Sequence, residues 1–316
     1  MSDSTLSFTD IRNAAARIAP YVWRTPVMRC VHMEQVLGAR IFFKCENFQE
    51  MGAFKIRGAG NAILSLPDVI AVKGVATHSS GNHGAAVALA ARRRDIKACV
   101  VMPENASAFK KRAVSEYGAK IIYCESTMAG REAALASYIA ETGATVVHPY
   151  NDLVVMAGQG TAALELHAEV ADLDVMLAPV GGGGLLSGTA VATRHLLPTC
   201  KIIGVEPSGA DDAWRSLKAG HIDPVAHPDT IADGLRATLG TLTFAVISQQ
   251  VDDIVRVSDE ATVSAMRYIW ERMKIIIEPS SAVVVAALRE GLVEVKGKRV
   301  GAILTGGNVD LDHLPW

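Results

Sequence analysis

The sequence has no surplus of either charge: 31 lysines and arginines stand against 33 aspartates and glutamates, a net of −2 over 316 residues. That balance supplies no electrostatic footprint for nucleic acid or an anionic membrane surface. The only dense basic patch, Arg92-Arg93-Arg94, reads as a solvated helix end. Cysteine is scarce as well. Cys30, Cys45, Cys99, Cys124 and Cys200 are widely spaced, odd in number and without a Cys-x-x-Cys pair, which argues against a disulfide framework or a zinc site. Reduced thiols in a cytoplasmic protein are expected instead. No basic segment followed by an apolar one opens the chain, so no secretory signal is predicted. Apolar runs such as residues 281–288 are too short to span a bilayer. No low-complexity linker or internal repeat divides the chain into independent domains.

What is present is a large amount of apolar residue, half of the chain, with a mean hydropathy of +0.23. The length is about twice that of a typical domain, so one large or two interlocked domains are expected. Short apolar, β-rich runs at 41–45, 74–77, 98–102, 120–124, 145–148, 175–180, 201–205 and 300–304 read as strands. Between them, residues 84–93, 108–117, 130–142 and 158–170 have the apolar spacing of helices, and 258–273 forms an amphipathic helix opened by Ser258. Strand and helix in alternation predict an α/β fold with parallel sheet and crossover helices, its strands covered on both faces.

Three strand-to-helix loops carry chemistry. Gly181, Gly182, Gly183 and Gly184, followed by Leu185, connect an apolar strand to a helix-like run. Backbone N–H groups that turn toward one point at a helix start make an anion cradle, with phosphate as the usual guest. The spacing matches neither a dinucleotide nor a nucleoside triphosphate loop. Thr77-His78-Ser79-Ser80-Gly81-Asn82-His83-Gly84 also joins a strand to a helix and presents donors suited to a carboxylate. Thr305-Gly306-Gly307-Asn308 closes the last strand. Ligands of open parallel sheets bind beyond the carboxyl ends of strands, where all three loops lie. A lone Lys55 sits in the glycine-flanked run QEMGAFKIRG. One phosphate site, one carboxylate site and an isolated amine suggest pyridoxal 5′-phosphate, held as an imine of Lys55.

The stretches GAFKIRGAGNAI, THSSGNHGAAVALAA, AGQGTAALEL, PVGGGGLLSG, GVEPSGADD, TIADG, ERMKIIIEP and LTGGNVD, in that order, resemble serine racemase and the serine/threonine dehydratases. These are pyridoxal-phosphate enzymes of the tryptophan-synthase-β fold (fold type II), and the resemblance runs from about Thr25 to Asp310. It implies two interlocked three-layer α/β domains with mainly parallel sheets: residues 1–64 with 152–316 as a large cofactor-binding domain, and 74–151 as a small substrate-loop domain. It further implies Lys55 as the imine-forming lysine and Phe54 as the aromatic beside the cofactor ring. Asn82 would bond the phenolic oxygen, and Gly181, Gly182, Gly183, Gly184 and Leu185 would cradle the phosphate. Thr305 would face the pyridine nitrogen, where a neutral hydroxyl leaves the ring a weaker electron sink than an aspartate would. Ser79, Ser80, Gly81, Asn82 and His83 match the substrate-carboxylate loop. Tyr150 stands where relatives place a polar residue beside the site. Glu206, Ala210 and Asp212 match a divalent-cation site of two carboxylates and a backbone carbonyl, suited to magnesium or calcium; the local alternative is a pair of helix-capping acids. A homodimer is implied too.

The activity expected from the resemblance is that of a dehydratase (ammonia-lyase) eliminating water and then ammonia from 3-hydroxyaspartate, serine or threonine. Lys55 would take the α-proton, and a distal carboxylate would find its cation in Arg131, His148 or Lys110. Ser80, on the face opposite the lysine in racemase-like relatives, makes serine or aspartate-type racemisation an alternative. β-Replacement and a catalytically inactive binding module are the remaining readings.

Overall fold

The computed structural model describes residues 5–79, 81–106 and 108–316. Among the described residues ten strands form two sheets. They are β1 (Val27–Met28), β2 (Arg40–Cys45), β3 (Val75–His78), β4 (Ala98–Pro103), β5 (Lys120–Cys124), β6 (Thr145–Val146), β7 (Val175–Pro179), β8 (Lys201–Pro207), β9 (Asp253–Val257) and β10 (Arg299–Leu304). The six-stranded sheet has the order β1-β2-β10-β7-β8-β9, parallel except for β1 against β2. The four-stranded sheet, β5-β4-β3-β6, is wholly parallel. The chain therefore builds part of the larger sheet, leaves it for the smaller one and returns. No described helix is long and apolar enough to cross a membrane.

Every predicted strand is present, with one shortened. Residues 145–148 pair with β3 only through Val146, although the Val147 N–H still reaches Ala76 O at 2.9 Å. Beyond it the chain turns into the cleft. Two strands escaped the sequence reading. β1 is only two residues long, and β9 reads Asp-Ile-Val-Arg-Val, an edge strand with alternating burial and no continuous apolar run. The expectation that the strands are apolar on both faces fails at β5, whose Lys120 and Tyr123 are exposed at the sheet edge. Three of the predicted helices begin earlier than their apolar cores, whereas Ala108–Glu116 starts where expected. Asn82–Arg93 and Leu153–Glu169 gain a first turn, the second capped by Asp152 accepting from the Val154 and Val155 N–H groups. Ser258 caps Asp259–Met273 through the Ala261 N–H as expected.

Helix Leu153–Glu169 lies between helices Lys55–Ser65 and Gly184–Leu196. The first contact carries a hydrogen bond from Gly58 N–H to Gln159 Oε1 (3.0 Å) and, deeper, a cluster of charges. Arg57, fully buried, donates Nε and Nη2 to Glu46 (2.7 and 2.8 Å) and Nη1 and Nη2 to Glu165 (both 2.8 Å). Lys44, also fully buried, reaches Glu165 at 2.7 Å and Thr25 O at 2.6 Å. Burial alone would raise the Glu46 carboxyl, but the Arg57 charge and hydrogen bonds outweigh it and hold it below the usual range. Two cations thus meet two anions across helix Lys55–Ser65, the turn after β2 and helix Leu153–Glu169. Replacing Arg57 by methionine strands Glu46 in the core, so Arg57→Met is expected to lose about 3–5 kcal/mol of stability. A urea melt reads this as a lower midpoint at constant slope, and an unmoved midpoint would show that the cluster does not hold the helices.

Candidate active site

The tetraglycine loop follows β7 and opens helix Gly184–Leu196. Gly181 and Gly183 have positive φ (53° and 89°), a backbone turn that disfavours any side chain. Gly183 N–H donates to Val180 O, and Thr243 Oγ1 donates to Gly182 O at 2.9 Å. The N–H groups of Gly182, Gly184 and Leu185, all in buried residues, find no acceptor among the described residues. Buried, unpaired donors at a helix start suit an anion. Tyr150 lies on this loop so closely that a Cβ on Gly182 would come within 2.3 Å of its ring. The position the resemblance marked as a polar contact is thus a ring packed on the cradle.

Lys55 begins helix Lys55–Ser65 and donates Nζ to Pro149 O (3.0 Å), one residue before Tyr150, so residues 148–151 tie the amine to the glycine loop. The Phe54 ring centroid is 5.1 Å from Nζ. The residue keeps a partial opening to solvent, yet protein crowds the amine; burial lowers its pKa to about 8, with the Glu278 charge pulling upward. Phe54 N–H donates to the backbone of Thr305, which is itself buried at the end of β10.

In the loop after β3, Ser79 N–H is spent on Val101 O and Gly81 N–H on Ser79 Oγ. Among the described residues of this loop, the N–H groups without an acceptor are those of Asn82 and His83 at the start of helix Asn82–Arg93. Ser80 lies outside the described residues. Asn82 directs Nδ2 at both oxygens of Glu278 (2.9 and 3.2 Å) and accepts from Asn308 Nδ2 (2.9 Å). Glu278 escaped the sequence reading of the site; its one signal was its place in ERMKIIIEP. His83 pairs Nε2 with Val147 O, and its Nδ1 is buried with no partner among the described residues.

Of the three cations offered for a second carboxylate, the structure separates the roles. His148 accepts the Tyr150 and Asn151 N–H groups on Nδ1, placing its proton on Nε2, and burial with neighbouring His78 lowers its pKa to about 4. At neutral pH it is a neutral donor, not a cation. Lys110 pairs with Asp233. Arg131, near the start of helix Met128–Thr142, has a buried Nε without a hydrogen bond and no carboxylate partner among the described residues. Its charge, after burial, lowers the pKa of His78, which immediately precedes residues 79–83.

Glu206 near the end of β8 and Asp212 at the start of helix Asp212–Ala219 are both buried, and after burial it is the Asp212 charge that raises the pKa of Tyr150 on the glycine loop. Glu206 accepts from the Ala213 and Trp214 N–H groups, and Asp212 from Leu239 N–H (2.9 Å). Burial and the nearby Asp212 raise Glu206 well above the usual carboxyl range, and burial raises Asp212 to about 6. Among the described residues no group of three or more His, Cys, Asp or Glu side chains is arranged to hold a metal ion. The set is the two carboxylates with buried Ala210.

A family sequence model described as "Pyridoxal-phosphate dependent enzyme" matches residues 18–306. The chain is 49% identical to the beta-hydroxyaspartate dehydratase of Paracoccus denitrificans over 98% of each chain. It is 46% identical to the L-threo-3-hydroxyaspartate ammonia-lyase of Saccharomyces cerevisiae, covering 96% of this chain and 94% of that one. Among solved structures, maize serine racemase superposes with a TM-score of 0.95 at 46% identity, covering 98% and 95% of the two chains.

The residues present fit the family's cofactor: orphaned buried N–H donors for a phosphate and an amine of lowered pKa for an aldehyde. Borohydride reduction in the presence of pyridoxal phosphate should leave its adduct on Lys55, and Lys55→Ala should take up none. Because the neutral amine is the nucleophile, capture should be faster above pH 8 than below it. A label found by mass spectrometry on another lysine would refute the assignment.

Proposed function

Because the chain belongs to the pyridoxal-phosphate-dependent enzyme family, we propose that it is a dehydratase acting on a β-hydroxy amino acid, 3-hydroxyaspartate foremost. Water leaves first; the released enamine then tautomerises and hydrolyses, losing ammonia and giving a 2-oxo acid. The observation that carries the substrate is Arg131, a half-buried guanidinium without a carboxylate partner among the described residues, beside the loop that would hold the α-carboxylate. A second substrate carboxylate supplies the missing anion. The similarity to two hydroxyaspartate-eliminating enzymes supports the same reading.

The bound cofactor would withdraw the electrons left on the α-carbon. The rest falls to this chain's own groups. Gly182, Gly184 and Leu185 would hold the phosphate, Phe54 and Thr305 would border the ring, and Asn82 would bond its oxygen. The Asn82 and His83 N–H groups would orient the substrate so that its α-hydrogen faces Lys55, whose neutral amine takes the proton. Serine racemisation is the second reading, favoured by the likeness to maize serine racemase and by a hydroxyl at Ser80 able to return a proton from the other face. The division into residues 1–64 with 152–316 and 74–151 would place the cleft between two moving parts. Five unpaired cysteines support a reducing, cytoplasmic setting, and the resemblance supports a homodimer.

Glu206, Asp212 and the Ala210 carbonyl would bind a divalent cation. Two buried acids without ion pairs among the described residues are costly when both ionise, and Mg²⁺ or Ca²⁺ relieves that cost. The cation is structural in this reading.

Arg131→Met should cut kcat/KM for 3-hydroxyaspartate by roughly ten- to hundred-fold while sparing serine; equal loss on both substrates would remove the distal-carboxylate role. In the same panel, Ser80→Ala should abolish serine racemisation and leave elimination. Millimolar Mg²⁺ should raise the melting temperature after chelation, and Glu206→Gln should cancel that rise. A parent protein indifferent to Mg²⁺ and Ca²⁺ leaves the two acids as helix caps.

A further inference from the structure

Glu278 precedes helix Pro279–Arg289 without capping it through its side chain, and it is 5% exposed. Its N–H donates to Gly306 O (2.9 Å), and a Cβ on Gly306 would come within 2.5 Å of its Oε1. The loop after β10 is therefore glycine where the carboxylate needs the space. From the opposite side Asn82 donates to both carboxylate oxygens, while Asn308 Nδ2 donates to Asn82 Oδ1 and to Met51 O (both 2.9 Å). Donors and acceptors thus run one way, from Asn308 through Asn82 to an acid, and such a chain is polarised along its length. Flipping the Asn82 amide would set its oxygen against Glu278 and its NH₂ against another donor, so the orientation is locked.

We infer that Glu278 is a positioning residue of the reaction, acting through Asn82: it engages one Nδ2 hydrogen and holds the amide so that the other remains for the cofactor's ring oxygen. This rests on the reading of Lys55 and Asn82 as cofactor contacts. The charges facing Glu278 come from two helices, Lys55 and Lys110, and Lys110 is itself paired with Asp233 and close to Arg236. Burial raises the carboxyl to about 7, with the Asn82 hydrogen bond and the two lysines resisting. The ionised form accepts from Asn82 on both oxygens. Protonation replaces one acceptor with an O–H donor, so the hold on the amide weakens as pH falls through that value.

The test titrates pyridoxal phosphate into cofactor-free parent, Glu278→Gln and Asn308→Ala proteins. It follows the visible band that appears as the cofactor is taken up, together with kcat, across pH. All three should bind cofactor. In the parent, band and kcat should both change near pH 7, whereas Glu278→Gln should show no transition there and a kcat lower by roughly ten- to hundred-fold. Asn308→Ala should keep the transition, since its acid is intact, and lose kcat. Should Glu278→Gln titrate like the parent at parental kcat, the inference is overturned while the cofactor reading stands. If that variant does not fold, Asn308→Ala decides, and an unchanged kcat there overturns the inference. A parent without any band would overturn both readings.

Discussion

Arg57 with its two carboxylates is the contact on which the rest of the site depends. Its guanidinium spends its donors on Glu46 and Glu165, anchoring helix Lys55–Ser65 against helix Leu153–Glu169 two residues from the amine. Desolvating four charges is expensive, and an apolar core of the same volume can match or exceed such a cluster in stability. What the cluster does provide is direction: paired N–H···O bonds to two separate elements allow one rotation of the helix and one depth. Lys55 then meets Pro149 O at 3.0 Å, and Tyr150 falls onto the glycine loop. The same helix contact that is a packing problem in the core is an alignment problem in the cleft.

Around the amine, burial acts on unlike groups with opposite sign. It lowers Lys55 to about 8 and raises Glu278 to about 7, so an acid and a base that would differ widely in water approach one another. It also keeps His83 and His148 neutral, leaving hydrogen-bonding groups where cations would compete for an anionic substrate's placement. Positive character around Glu278 comes instead from Lys110 and Lys55, with unpaired N–H groups at the helix starts beside them.

Much of this was legible locally. Parallel strands buried on both faces announce themselves as apolar runs, and the glycine loop, the Ser79–His83 stretch and the Thr305–Asn308 turn each follow such a run. β1 and β9 were not, because a two-residue antiparallel pair and an alternating edge strand carry too little apolar signal. Helix Lys55–Ser65 was also hidden: its run Lys-Ile-Arg-Gly-Ala-Gly-Asn holds two glycines and no side-chain cap, and it is helical because tertiary contacts hold it.

The order of residues along the chain determined the architecture and marked three strand-to-helix or strand-end loops and Lys55 as the candidates for a site, since each depends on neighbours a few positions apart. It could not determine which distant groups would meet. Asn82 and Glu278 are 196 positions apart, and no spacing rule links them. The differences among Arg131, His148 and Lys110 likewise lie in which cation has an acid beside it and which imidazole is desolvated. Proton affinity and pairing belong to surroundings assembled from several elements, so only the folded chain decided them.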